Sequence, residues 1–169
     1  STPQWSSSGS GVFTSTSNLT TTYTPSAADI NSGSVILSLT TLNNGVCPPV
    51  TSTMQVVILP TPTVNAGSNQ TICATSFASL SGTVTGVSNT GIWSSSGTGT
   101  FSPSSSVLNT TYTPSAADIS AGSVTITLTS TANQVCAPGM DDMVLFFQTP
   151  PVANAGINPT VCANNSTIT

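Results

Sequence analysis

An all-β chain built of tandem β-sandwich repeats of about 89 residues is the fold class this sequence predicts, and three observations carry the prediction. The phrase Tyr23-Thr-Pro-Ser-Ala-Ala-Asp-Ile30 recurs letter for letter as Tyr112-Thr-Pro-Ser-Ala-Ala-Asp-Ile119, a spacing of 112 − 23 = 89. From each Tyr to the next Cys the two stretches agree at 16 of 25 positions. Self-similarity at a fixed period marks a repeat architecture. The cysteines keep the same register, since 136 − 47 = 89 and 162 − 73 = 89. Finally, no window sustains a helical period, whereas short apolar runs alternate with Gly, Pro, Asn and Ser turn signals, the pattern of a sandwich of roughly seven strands per unit.

The register divides the chain into residues 1–60, the back part of one repeat, 61–149, a complete repeat, and 150–169, the opening of a third. Pro60 and Pro62 punctuate the first boundary, and Thr149-Pro-Pro151 the second. Such linkers are short and stiff, because Pro restricts the backbone. Within the complete repeat, Val64 to Cys73 opens the domain as a strand. Leu80 to Val84 alternates weakly, and Gly91-Ile-Trp-Ser follows a polar turn. Gly97-Thr-Gly99 supplies a tight turn before Thr100-Phe101, and Leu108 to Tyr112 is a further short strand. Trp5 matches Trp93 at 93 − 5 = 88, and Phe13 matches Phe101 at 101 − 13 = 88. One residue is therefore gained or lost between Phe101 and Leu108, which places a surface loop there. Val124, Ile126 and Leu128 alternate with Ser and Thr, the clearest strand with one buried face. Asp142 to Gln148 is apolar on both faces, so it is covered twice or offers a face to a neighbour.

The repeated phrase reads as a corner. Pro25 and Pro114 end the preceding strand, because Pro cannot donate to a ladder. Ser115 followed by Asp118 fits a capping box, Ala116 and Ala117 favour a helical turn, and Gly33 and Gly122 let the chain reverse into the next strand. Tyr23, Asp29, Tyr112 and Asp118 belong to the two copies of that corner. Trp5 and Trp93, one per unit and mid-strand, read as core with Val124, Ile126 and Leu128.

Composition excludes whole classes of function. There is no Lys, Arg or His, and the acids are Asp29, Asp118, Asp141 and Asp142. Nothing can neutralise phosphate, which argues against a nucleic-acid partner and against an anionic membrane surface. No run of about 18 apolar residues is present, so membrane insertion of this segment is not expected. No trypsin-type cleavage site exists, which suits survival among extracellular proteases. Without His or Lys no Ser or Cys is activated as a nucleophile, so an enzyme is not expected, and no cofactor with it. Calcium at Asp118, Asp141 and Asp142 is a weak alternative, because calcium takes six to eight oxygens and these acids are few. Regular cysteines in a Ser/Thr-rich chain suggest an oxidising compartment. Cys47, Cys73, Cys136 and Cys162 are disulfide candidates, with Cys73–Cys136 inside one repeat and pairing across a repeat junction both open.

The motifs Ala66-Gly-Ser-Asn-Gln-Thr-Ile-Cys73, Leu80-Ser-Gly82, Trp93-Ser-Ser-Ser-Gly97-Thr-Gly-Thr-Phe101, Tyr112-Thr-Pro, Asp118-Ile and Gly122-Ser-Val together resemble the PKD-like/Ig-like tandem repeats of very large Bacteroidota surface proteins, including gliding-motility adhesins exported by the type IX route. The resemblance covers the whole chain. It implies an extracellular bacterial β-sandwich strung in a cell-surface stalk or filament, with cell adhesion as its setting and no catalytic residues. PKD domains often carry Gly-Asp-Gly after the Trp strand; Gly97-Thr-Gly99 lacks that Asp and with it an ion ligand. The expected partners are neighbouring repeats of the same protein, with lateral self-association as a further one. A subunit of a self-assembling fibre or sheath is the alternative function, and a carbohydrate-binding module presenting Trp a weaker one.

Overall fold

The computed structural model describes residues 1–156. The leading part contains β1 (Thr2–Ser7), β2 (Val12–Phe13), β3 (Tyr23–Thr24), α1 (Ala27–Ser32), β4 (Ser34–Leu42) and β5 (Thr51–Val57). There follow β6 (Thr63–Asn65), β7 (Gln70–Cys73), β8 (Ala78–Ser81), β9 (Thr83–Thr85), β10 (Thr90–Ser95), β11 (Thr100–Ser102), β12 (Asn109–Thr113), α2 (Ala116–Ala121), β13 (Ser123–Thr131) and β14 (Met140–Gln148).

From Thr63 onward the strands make a β-sandwich. One sheet has the order β10-β13-β14-β7, antiparallel except that β7 runs parallel to β14. The other has the order β11-β12-β8, and β6 and β9 form a short ladder of their own. The core between them joins Ala78, Leu80 and Tyr112 to Trp93, Ile126, Leu128, Met143 and Leu145. The alternation read in β13 is real: Val124, Ile126 and Leu128 are 4 %, 0 % and 0 % exposed, and the Thr residues between them lie on the outer face. The loop expected between Phe101 and Leu108 joins β11 to β12.

The opening strand differs from expectation. Val64 to Cys73 is two strands, not one, and they serve different ladders, β6 on β9 and β7 on β14. The break is at Gly67, whose φ of 92° lies in the left-handed region and whose N–H donates to Asn65 Oδ1 at 2.7 Å. An Asx side chain bonding two residues onward is a turn in itself.

The leading residues repeat part of this plan. β1, β4 and β5 form a three-stranded sheet, and β2 pairs with β3. A correction falls at Trp5, expected in the core: among the described residues it is half-buried, whereas Trp93 is 2 % exposed. Leu80, Val84 and the backbone at Gly82 cover the later sheet, and a Cβ on Gly82 would lie 2.6 Å from Trp93 Cζ2. Trp5 has no such cover.

Candidate functional site

The two corners are the most densely bonded polar sites. Ser115, with β-region backbone, caps α2, and its side chain accepts from Asp118 N at 3.1 Å. Asp118 returns the bond by accepting from Ser115 N at 3.0 Å, closing the capping box. Gly122 ends the helix at φ 80°, with its N–H on the carbonyls of Asp118 and Ile119. The helix spans six residues, Ala116–Ala121, and carries the chain from β12 to β13.

The carboxylate of Asp118 does more than cap. Its Oδ1 accepts from Thr98 N at 2.8 Å, and its Oδ2 accepts from Gly99 N at 2.9 Å and from the Tyr112 hydroxyl at 2.7 Å. Tyr112 Oη in turn accepts from Ser95 Oγ at 2.9 Å and Gly99 N at 3.0 Å. Three separated segments, the β10–β11 turn, the end of β12 and the start of α2, are thus tied to one side chain. Gly97 is required by space: a Cβ there would overlap Asp118 Oδ1 and lie 2.7 Å from Val124 Cγ1. The turn residues Ser95, Gly97, Thr98 and Gly99 were not legible as partners of Asp118. Their one signal is that Ser-x-Gly-x-Gly occurs twice, at Ser7 to Gly11 and Ser95 to Gly99, 88 residues apart and so one residue off the spacing of the corner phrase.

The leading corner repeats the arrangement bond for bond. Asp29 accepts from Ser10 N at 3.0 Å, Gly11 N at 2.9 Å, the Tyr23 hydroxyl at 2.7 Å and Ser26 N at 3.0 Å. Pro25 and Gly33 flank it as Pro114 and Gly122 flank the other, and Gly33 has φ 73°.

The electrostatics follow from this geometry. Burial pushes the Asp118 carboxyl up, but donation from Ser115 N, Thr98 N and the Tyr112 hydroxyl outweighs it and holds the pKa at about 2 against 3.8. Asp29 is likewise lowered to about 2, first by Ser26 N and then by the Tyr23 hydroxyl. Burial raises the Tyr112 hydroxyl pKa, so it stays a protonated donor. An ionised carboxylate already engaged by four donors has its lone pairs occupied, and it has no free partner for proton transfer. What the arrangement does chemically is hold a corner.

The remaining candidates do not converge on it. Asp141 Oδ2 accepts from Ala66 N at 2.8 Å, pinning the opening segment to the start of β14. Asp142 is exposed, opposite Thr127 on the other face of the sheet. Asp118, Asp141 and Asp142 therefore have separate structural tasks, and no group of three or more acidic, His or Cys side chains gathers among the described residues. Trp93 is buried, and its Nε1 donates to Leu108 O at 3.2 Å, so it offers no face to a sugar.

The cysteines correct one expectation. Cys47, Cys73 and Cys136 are free thiols, so the Cys73–Cys136 bond inside one repeat does not form. Cys73 sits opposite Gln148 at the trailing end of β14, while Cys136 precedes Met140 at its leading end. The length of β14 separates them, roughly 25 Å at strand rise, where a disulfide needs Cα atoms within about 7 Å. Hydrogen bonding to the Thr75 hydroxyl lowers the Cys73 thiol pKa. Cys162 lies outside the described residues.

No protein-family model matches this sequence, and no curated protein does. Among solved structures, the chain is similar to Sidekick-1 immunoglobulin domains 1–5, at 15 % identity and TM-score 0.45, over 86 % of this chain and 32 % of that one. It is similar to mouse cadherin-23 EC22-24 at 12 % identity and TM-score 0.39, over 86 % and 54 %. It is also similar to the fibronectin(III)-like modules of Clostridium thermocellum CbhA at 13 % identity and TM-score 0.39, over 94 % and 83 %. The chain thus spans about a third of the Sidekick-1 structure it matches. The fold assignment rests on the strand pairing described above.

Proposed function

We propose that this chain is a segment of a non-enzymatic extracellular repeat array, a stalk or adhesin filament on a bacterial cell surface, whose task is reach and mechanical continuity. The observation that carries the reading is the corner: one polar assembly built twice, 89 residues apart, with the donors and acceptors around each Asp spent on holding the repeat's own strands. In such arrays stability is a sum of repeat and junction terms. The sequence resemblance to Bacteroidota surface adhesins supports a setting in cell adhesion, with gliding motility as its particular case. Residues 61–149 form the complete unit of the array, 1–60 the back of the one before and 150–169 the opening of the next. Neighbouring repeats are the first partners. Since Cys73 and Cys136 occupy opposite poles, any disulfide they make crosses a junction, and mass spectrometry of a longer unreduced array would reveal it.

The test is length. Each sandwich adds on the order of 35–45 Å, from strands of about seven residues plus loops. Solution scattering from arrays of increasing repeat number should show the maximum dimension growing linearly by that step. An array that compacts as repeats are added would sink the stalk reading. Phe146, 45 % exposed on the outer face of β14, favours the fibre alternative as a lateral contact. In that case association would depend on Phe146 and fail in Phe146→Ser.

A further inference from the structure

The chain enters the complete sandwich at Pro62 and leaves it at Thr149. Its opening and closing strands lie side by side, β7 parallel to β14. The backbone register pairs Gln70 with Leu145 and Cys73 with Gln148, an offset of 145 − 70 = 75. Two side-chain bonds carry the same offset beyond that ladder. Asn69 Oδ1 accepts from Val144 N at 2.8 Å, and Asp141 Oδ2 accepts from Ala66 N at 2.8 Å. Here 144 − 69 and 141 − 66 are again 75. Ala74 N closes the other end by donating to Gln148 O at 2.8 Å. Asn69 and Asp141 thus supply bonds on either side of the Gly67 turn, where the backbone ladder has none. The opening segment is fastened along β14 from Asp141 to Gln148.

We propose that this fastening is the load-bearing element of the repeat, a clamp whose bonds are strained together when the chain is pulled through its linkers. The reason is direction. A pull on Pro62 draws the opening segment toward the Met140 end of β14. A pull on Thr149 draws β14 the other way. The bonds of a parallel pair are evenly spaced along the strands, so sliding loads all of them, and the stretch from Ala66 to Ala74 gives way in one step. The antiparallel pair β13–β14 is the contrast. It is joined through residues 132–139, so Ser123 and Phe146 end at one pole, and a pull on those ends would open one residue pair at a time. Forced unfolding is governed by the unfolding rate, so a step that breaks every bond at once resists longer. β6 meets the pull first, but its ladder on β9 has only three residue pairs, and the fastening to β14 lies behind it. The inference rests on the stalk reading for the direction of pull alone.

The full chain is held in an optical trap at constant force, in two geometries. Handles on the two chain ends load the clamp in shear. A handle on Cys73 and one on the trailing chain end load it from its Gln148 end, where β7 peels away. In both cases Cys47, Cys136 and Cys162 are replaced by Ser, so that one thiol is left for the handle. In the end-to-end pull the complete unit is recognised by its release of Thr63 to Gln148, about 300 Å of extended chain. At one force, opening should be roughly tenfold slower end to end than by peeling. Asp141→Ala should quicken the end-to-end step roughly tenfold, through the loss of a bond to a charged acceptor. It should leave the peeling rate unchanged, because peeling starts at the opposite end. Asp141→Asn keeps an acceptor oxygen and should restore most of the resistance. Asn69→Ala, at an exposed position, should quicken the end-to-end step roughly threefold and spare peeling. Equal rates in the two geometries overturn the clamp. So do Asp141→Ala and Asn69→Ala variants that quicken both geometries alike, or neither. Arrays that lengthen linearly while both geometries open alike would keep the stalk and sink the clamp. Arrays that compact would sink the stalk and leave a measured shear resistance standing.

Discussion

The two corners of this chain are alike in every bond, while the cores beneath them are not. Asp29 and Asp118 are 4 % and 2 % exposed, and each is held by four donors. Tyr112, however, is fully buried and Tyr23 only half-buried, and Met54 is open where Met143 is closed. The corner is assembled from residues within about 25 positions of one another and needs nothing from the opening strands. The core needs them. Local polar structure is therefore complete within a short stretch of chain, whereas the apolar packing of the later sandwich draws on segments from farther away.

The largest expected effect is at Asp118. Asp118→Ala strips an acceptor from four donors in a buried site, and a loss of about 3 kcal/mol is expected in a urea melt followed through Trp93. Asp29→Ala should move the same melt less, because Tyr23 beside it is half-buried where Tyr112 is fully buried. Equal effects would break the comparison. Gly97→Ala comes next. Its Cβ overlaps the carboxylate and crowds Val124, and a loss of about 2 kcal/mol is expected by the same measurement. Tyr112→Phe keeps the ring and deletes one donor to Asp118, which should cost about 1–1.5 kcal/mol. Tyr23→Phe, in a wetter site, should cost less.

The smallest expected difference between the corners is in their titration, and it sharpens the comparison. Both carboxyls are depressed, from 3.8 to about 2. A depressed folded-state pKa means that the unfolded chain binds the proton more readily. The stability each contributes is thus complete above pH 3.8 and is lost as pH falls through the interval down to 2. Thermal melts between pH 5 and 2 should show that loss, and it should shrink in Asp118→Asn. Carbon-detected titration of the two carboxyls should give nearly equal midpoints despite the unequal cores.

Much of this was legible in the residues. The Ser115 to Asp118 capping box, the Gly122 reversal and the β13 alternation are local patterns, settled by backbone chemistry within a few positions. The pole-to-pole separation of Cys73 and Cys136 was legible only in part, because it depends on β7 running parallel to β14 from a sequence distance of some seventy residues. The bond from the Asp118 carboxylate to Thr98 and Gly99 was not legible at all. Nothing in a Gly-Thr-Gly turn says which acid, twenty positions on, will face it.

By itself the sequence determined the period, the strand-rich class and the corner's chemistry, since each is written in spacing, alternation and turn residues that act over short range. The tertiary structure alone decided that the opening stretch splits at Gly67 between two ladders and that Asp118 reaches the preceding turn. It also decided that Trp93 is sealed beneath the backbone at Gly82. The physical reason is the same in all three cases. Sealing a core and closing a long-range hydrogen bond depend on which distant segment arrives, and a local pattern of spacing and alternation does not specify that.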